Sequence, residues 1–280
     1  MLREARAIGC PWGGLETFTD SLEKFRYGAL TNPELLSAEK YDSGWNSGMA
    51  CTTEASKGNL DVVREARAFG CPWGDTAVEA CRNEHLQLLR WARGPPAASR
   101  RVPLYAMCYR VAAEGGHLDV IKFLREEQCE YINNRAANAA AQFGHPRCLE
   151  LLYEICAENE GRWSPDDVCA HAVTSEQIDV LKTAWALEPE RYNAFKYEDP
   201  FTTFNVKPMQ WAASRGRIDM MEWLLDNGCP WGSYTCGVIA KRGDPAVSKW
   251  AAEAPNGCRC NLPFGTTMTS KCTVHGDPWI

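Results

Sequence analysis

The chain has 280 residues, 45% hydrophobic and 24% charged, a balance that belongs to a folded globular protein rather than to a disordered or collagen-like one. A net charge of −6 offers no general attraction to nucleic acid or to an anionic membrane surface, and no run reaches the roughly 18 apolar residues of a membrane helix. The start "MLREARAIGC" lacks the apolar core of a signal peptide, so a cytoplasmic or nuclear location is expected, and the fourteen cysteines are not expected to form a secreted disulfide scaffold.

The first element, "LREARAIGCPWG" from Leu2, returns almost unchanged as "VREARAFGCPWG" from Val63 and more loosely as "MEWLLDNGCPWG" from Met221. The later copies are preceded by "GNLDVV" at Gly58 and "GRIDMM" at Gly216, and the same words recur in "GHLDVIKFLREEQCE" from Gly116. Weaker relatives begin at Thr31, Glu84, Gly144, Glu176 and Gly243. Anchored on that glycine slot, successive units are 27, 26, 32, 28, 32, 40 and 27 residues apart, which marks an array of units too small to fold alone. The chain opens inside the second half of such a unit, so further repeats upstream are expected.

Each unit reads as two helices. After the anchor, branched residues such as Val62 with Val63 and Val120 with Ile121 are followed by Trp91, Phe123, Trp223 or Trp250, then by Ala66, Leu124, Leu152 or Leu224, an apolar stripe at helical spacing. Before the anchor, Cys51, Cys169, Met209 and Cys236 stand seven residues back, and Ala55, Ala113, Ala141, Ala213 and Ala240 three back. Those two slots share a helical face, and their small residues let neighbouring backbones approach. The anchor glycine supplies the left-handed residue that ends the first helix. In "GCPWG" the glycine ends the second helix, the proline prevents its resumption, and the tryptophan is expected to pack over the joint between units.

The unit "AAEGGHLDVIKFLRE", with Ala112, Ala113, Gly116, His117, Leu118, Val120, Ile121 and Leu124, resembles the ankyrin repeat, and "WAASRGRIDMMEWLLDNG" from Trp211 resembles it as well. Family units run about 33 residues and open on a Thr-Pro-Leu-His phrase. That phrase is missing: six residues before the anchor stand Thr52, Arg110, Asn138, Ala170, Gln210 and Gly237, so the family's histidine network does not carry over. The short period leaves little room for β-hairpin fingers. The chain thus resembles a degenerate branch with Gly-Cys-Pro-Trp ends, of the kind expanded in algae, protists and giant viruses. The resemblance implies protein–protein recognition on a curved solenoid, without catalysis or cofactor.

Half of the cysteines fall on packing positions: Cys51, Cys169 and Cys236 in the first helix, Cys10, Cys71 and Cys229 at the joint, and Cys81 at the small-residue slot. Only the tail offers ligand types for zinc, Cys258, Cys260, Cys272 and His275, and its Cys-x-Cys is tighter than the usual spacing of about two to four residues. His85, His117 and His145 share the slot after the anchor, which points to a turn or helix start rather than to acid–base chemistry. No Gly-x-Ser-x-Gly, phosphate loop or His-Glu-x-x-His is present. Alternating charges such as Arg64 with Glu65 and Arg125 with Glu126 read as the solvated helix face.

The interval of 40 between Glu176 and Gly216 holds an insertion at 186–207 with Tyr192, Phe195, Tyr197, Phe201 and Phe204. Insertions leave repeat arrays on one face, so these aromatics are candidate partner contacts, the other reading being that they shield the edge of the array. The expectation is therefore an all-α solenoid of about eight ankyrin-like helix pairs plus a truncated first one over residues 1–256, and an irregular tail at 257–280. Its expected role is to bind an unidentified protein as scaffold or adaptor, with no nucleic acid, membrane or small-molecule partner. The alternatives are a zinc-binding tail and a decayed copy without a partner.

Overall fold

The computed structural model describes residues 48–68, 71–94, 101–130, 134–159, 163–188, 207–229, 231 and 233–254. Among these residues the regular structure is fourteen α-helices and no strand. The chain divides into two compact units, Met1–Tyr131 and Ile132–Ile280.

In the first unit, α1 (Met49–Ser56) pairs with α2 (Leu60–Ala68), α3 (Thr76–Arg82) with α4 (Leu86–Arg93), and α5 (Ala106–Gly115) with α6 (Leu118–Glu126). The first helices stack in order, α1 on α3 and α3 on α5. In the second unit the pairs are α7 (Arg135–Phe143) with α8 (Pro146–Glu158), α9 (Pro165–Thr174) with α10 (Ile178–Leu187), α11 (Lys207–Arg215) with α12 (Ile218–Asp226), and α13 (Ser233–Arg242) with α14 (Pro245–Glu253). Here too the first helices form a row, α7 on α9, α9 on α11 and α11 on α13. The fold is all-α, built from stacked helix-turn-helix pairs as ankyrin repeats are. The unit anchored at Thr31 and the truncated first unit lie outside the described residues.

One residue makes each hinge. The N–H of His117 bonds to the carbonyl of Ala112 in the first helix, while its own carbonyl accepts the N–H of Ile121 in the second. Asn59, His85, His145, Gln177 and Arg217 make the same pair of bonds in their units. This is the Schellman closure, which needs a left-handed residue just before the hinge. Gly58, Gly116, Gly144, Gly216 and Gly243 meet that need with φ between 69° and 83°, and Glu84 and Glu176 take the conformation at φ 59° and 61°. The last described hinge differs: Asp244 caps α14 by accepting from the N–H groups of Ala246 and Val247 at 3.0 and 3.4 Å.

The second helix closes in the same way. Cys71, Cys129 and Cys229 donate their N–H groups to Ala66, Leu124 and Leu224. The left-handed position is Gly228 in one unit, φ 82°, but Gln128 in another, φ 53°. An exposed L-residue is strained there, by about 1–2 kcal/mol. Gln128→Gly is therefore expected to raise stability by roughly 0.5–1 kcal/mol in urea unfolding. A loss of stability would show that the Gln128 side chain makes a contact worth more than the strain.

The core follows the stripe read from the sequence. Val63, Leu89, Ile121, Leu149, Leu181 and Met221 are all at zero exposure. So are the small residues Ala55, Cys81, Ala113, Ala141 and Ala213 of the first helices, whose lack of bulk sets the close approach of the row. Ala240 is only half-buried, because α13 is the last described first helix and has a described neighbour on one side alone. Arg64 and Glu126 are exposed as expected, whereas Glu65 and Arg125 are half-buried.

The longer interval between Glu84 and Gly116 is held by charge. Glu127 of the α6 end receives Arg93 Nε at 2.7 Å and Arg101 Nη2 at 2.8 Å, and the N–H of the fully buried Val102 bonds to Ala92 at 3.0 Å. The segment leading into α5 is thereby strapped to the ends of α4 and α6.

Candidate functional site

The joints between repeats and the exposed side of the first helices are where an array of this kind has chemistry to offer. At the joints, the residue after the anchor reaches back to the preceding repeat. His85 donates Nε2–H to the carbonyl of Ser56 at 3.1 Å, and His117 does the same to Arg82 at 2.8 Å, with its Nδ1 3.4 Å from the Glu84 carboxylate. Arg217 fills the slot in a later unit, binding Glu176 Oε2 at 2.8 Å and Asp219 at 2.7 Å. Its guanidinium is held charged by these carboxylates, and Asp219 is pulled below its ordinary range by the hydrogen bond from Arg217. A β-carbon on Gly58 would stand 2.7 Å from the His85 ring, and one on Gly144 2.5 Å from Gln177. Gly58 and Gly144 thus have two reasons to be glycine: the backbone angle, and the side chain from the next repeat lying over them. At His85 and His117 the shared histidine slot is a structural link between repeats.

The tryptophan of the Gly-Cys-Pro-Trp end does pack across the joint. Trp73 meets Trp91 of the next pair edge-on at 5.9 Å, and Trp231 meets Trp250 at 6.1 Å. Arg67 lies 4.3 Å from the Trp73 ring and Arg64 5.5 Å from that of Trp91, so each ring also carries a cation. Trp12, in the first copy, lies outside the described residues.

The cysteines pack. Cys51, Cys71, Cys81, Cys169, Cys229 and Cys236 are buried, as are Cys108, Cys129, Cys148 and Cys156. Burial pushes Cys129 and Cys229 up to about 12 and Cys148 to about 11, so these thiols stay neutral near pH 8. Cys51 is pushed up by its hydrogen bond to Cys71 and by burial, and Cys81 by its hydrogen bond to Cys108 and by burial. Iodoacetamide at pH 8 is expected to leave Cys129, Cys148 and Cys229 unlabelled in the native protein and to label them in denaturant. Rapid native labelling would contradict their place in the core. The sign for stability follows: the raised thiols favour the folded state fully below about pH 9 and lose that contribution as pH climbs through 11–12.

On the first helices, the slot two residues before the anchor is never buried and holds Ser56, Arg82, Glu114, Gln142, Thr174, Ser214 and Lys241. The neighbouring slots behind it hold the buried alanines. A constant inner face and a varied outer face therefore share each first helix, and the helices lie side by side. In the first unit this face is knitted by ions: Glu114 takes Arg110 and, at 3.4 Å, Arg82 from the next helix.

The aromatic candidates Tyr192, Phe195, Tyr197, Phe201 and Phe204 lie outside the described residues, as do Cys258, Cys260, Cys272 and His275 of the tail. What is visible is the setting of the insertion. Trp185 of α10 and Trp223 of α12 meet edge-on at 5.5 Å, and α9 packs on α11, so the pairs flanking the insertion stack directly on each other. No group of three or more metal-ligating side chains converges among the described residues, and none of the described helices is long and apolar enough to cross a membrane. Sequence reading did not single out Trp211, Arg215, Lys241 or Arg242; the signal was there, since α11 and α13 contain no carboxylate at all.

The sequence pattern of the ankyrin repeat matches residues 204–232, which span α11, its hinge, α12 and the third Gly-Cys-Pro-Trp end. A search of curated proteins returned no match. The chain carries an ankyrin repeat at that place, within a helical repeat fold.

Proposed function

We propose that this chain is a non-catalytic scaffold or adaptor that binds another protein through the exposed face of its first helices. The observation that carries the reading is the division of each first helix into a buried, small-residue face and an outer face that changes from repeat to repeat. The stack fixes where the outer side chains stand, and their variety is free to encode a partner. Ankyrin repeats serve protein binding in general, and the Gly-Cys-Pro-Trp ends suggest the short-repeat branch.

The aromatics of the insertion, Tyr192, Phe195, Tyr197, Phe201 and Phe204, are proposed as added contacts. Direct stacking of the flanking pairs supports this, because other joints of the array link a second helix to the next first helix with as few as six residues, so most of the insertion exceeds what the connection needs. Affinity capture from the source cell tests both statements. The whole chain should retain a specific protein, and a chain in which a Gly/Ser link of about eight residues replaces 189–206 should keep its helical signal while losing part of that capture. Equal capture by the shortened chain would remove the aromatics from the proposal; no specific capture by the whole chain would remove the scaffold reading.

A further inference from the structure

Three neighbouring helices of the second unit separate their charges. α11 and α13, which pack on each other, carry Lys207, Arg215, Lys241 and Arg242 and no acid, whereas α12, the partner of α11, carries Asp219, Glu222 and Asp226 and no base. A helix dipole favours a cation at the end of every first helix. Yet the last turn of α7 has no basic residue and that of α9 has only His171, so the cluster at α11 and α13 has a cause beyond the dipole.

Its geometry is convergent. Arg242 Nη1 donates to the carbonyl of Ser214 at 2.7 Å, which brings the end of α13 onto the end of α11, beside Arg215. The acids nearby are already engaged: Asp219 and Glu176 with Arg217, and Asp244 with Arg242 at 3.7 Å while its Oδ1 caps α14. Arg215 and Lys241 are exposed and have no ion-pair partner among the described residues. Trp211, half-buried, stands one helical turn before Arg215 on the same face of α11.

We propose that this face of α11 and α13 takes an acidic peptide segment of a partner protein, its carboxylates meeting Arg215 and Lys241 and an apolar residue meeting Trp211. Charge complementarity carries the choice: two exposed cations with no ion-pair partner among the described residues, and a half-buried Trp211 one turn before Arg215, fit carboxylates interspersed with apolar side chains, in a protein whose net charge of −6 disfavours a long polyanion. The inference rests on the reading of the first-helix face as the binding surface.

Fluorescence anisotropy with the full chain tests it. The probes are a short labelled peptide of Glu and Leu, its Lys-for-Glu counterpart, and single-stranded DNA of the same charge as the first. The Glu peptide is expected to bind, to weaken with added salt, and to weaken about tenfold or more in Arg215→Glu/Lys241→Glu. Lys249→Glu, an exposed change on α14, should leave binding unaltered, and melting curves show that each variant is folded. Absence of binding, equal affinity in the double variant, or DNA binding as tight as the Glu peptide would each overturn the proposal. Affinity capture separates this failure from that of the parent reading. A partner retained equally by wild type and double variant leaves the binding surface standing and removes the acidic segment; no partner at all removes the surface itself.

Discussion

Leu224→Ala is expected to lower the stability of the second unit by about 3 kcal/mol. Leu224 is fully buried on α12, at the slot eight residues after the anchor, where sister repeats have Ala66, Ala92 and Ala184. A view in which each slot tolerates whatever its relatives hold would expect almost no change. A large loss is expected instead, because the neighbours of Leu224 are arranged around its volume and only partly collapse into the space left behind. Leu224→Met, which nearly keeps the volume, should cost less than about 1.5 kcal/mol. Urea unfolding followed by circular dichroism reads both. A loss under about 1 kcal/mol for the alanine variant would show that the stripe on α12 is loosely packed.

The second large effect runs in the other direction, from too little room. Ala213→Leu is expected to cost about 2–3 kcal/mol, since α11 lies between α9 and α13 and Ala213 is at zero exposure. Ala240→Leu changes the same slot one repeat later, but Ala240 is half-buried on α13, so its cost should stay below about 1 kcal/mol. Two identical substitutions at one repeat position, with unequal outcomes, isolate the close approach of the first helices from any property of the residue type. Equal costs would mean that the row is not held together through these alanines.

Much of this fold is legible along the chain because the hinge imposes hard local demands. A left-handed residue must precede each hinge, and an aliphatic pair must follow it, so the period survives even where glycine does not. Glu84 and Glu176 were placed by the words after them, and both have the left-handed backbone expected of the slot. The burial of the cysteines and the packing of Trp73 and Trp231 over the joints were readable for the same reason: each sits at a fixed distance from a hinge.

What could not be read depends on contacts between repeats. Nothing in the neighbourhood of His85 or His117 says that the ring will reach a carbonyl 29 or 35 residues back. The strap formed by Arg93, Arg101 and Glu127 joins residues far apart in sequence, and the interval of 32 announced only that something extra was present. The cationic edge of α11 and α13 had one sign in the sequence, the absence of carboxylates from both segments, but it becomes a single cluster only because the two helices stack.

If the outer face of the first helices is the binding surface, hydrogen exchange on the chain with and without its captured partner will map to it. Slowed exchange on binding is expected to be concentrated in the first helices, strongest toward the ends of α11 and α13, with the second helices little changed. Protection centred instead on α8, α10, α12 and α14, with the first helices unaffected, would contradict it.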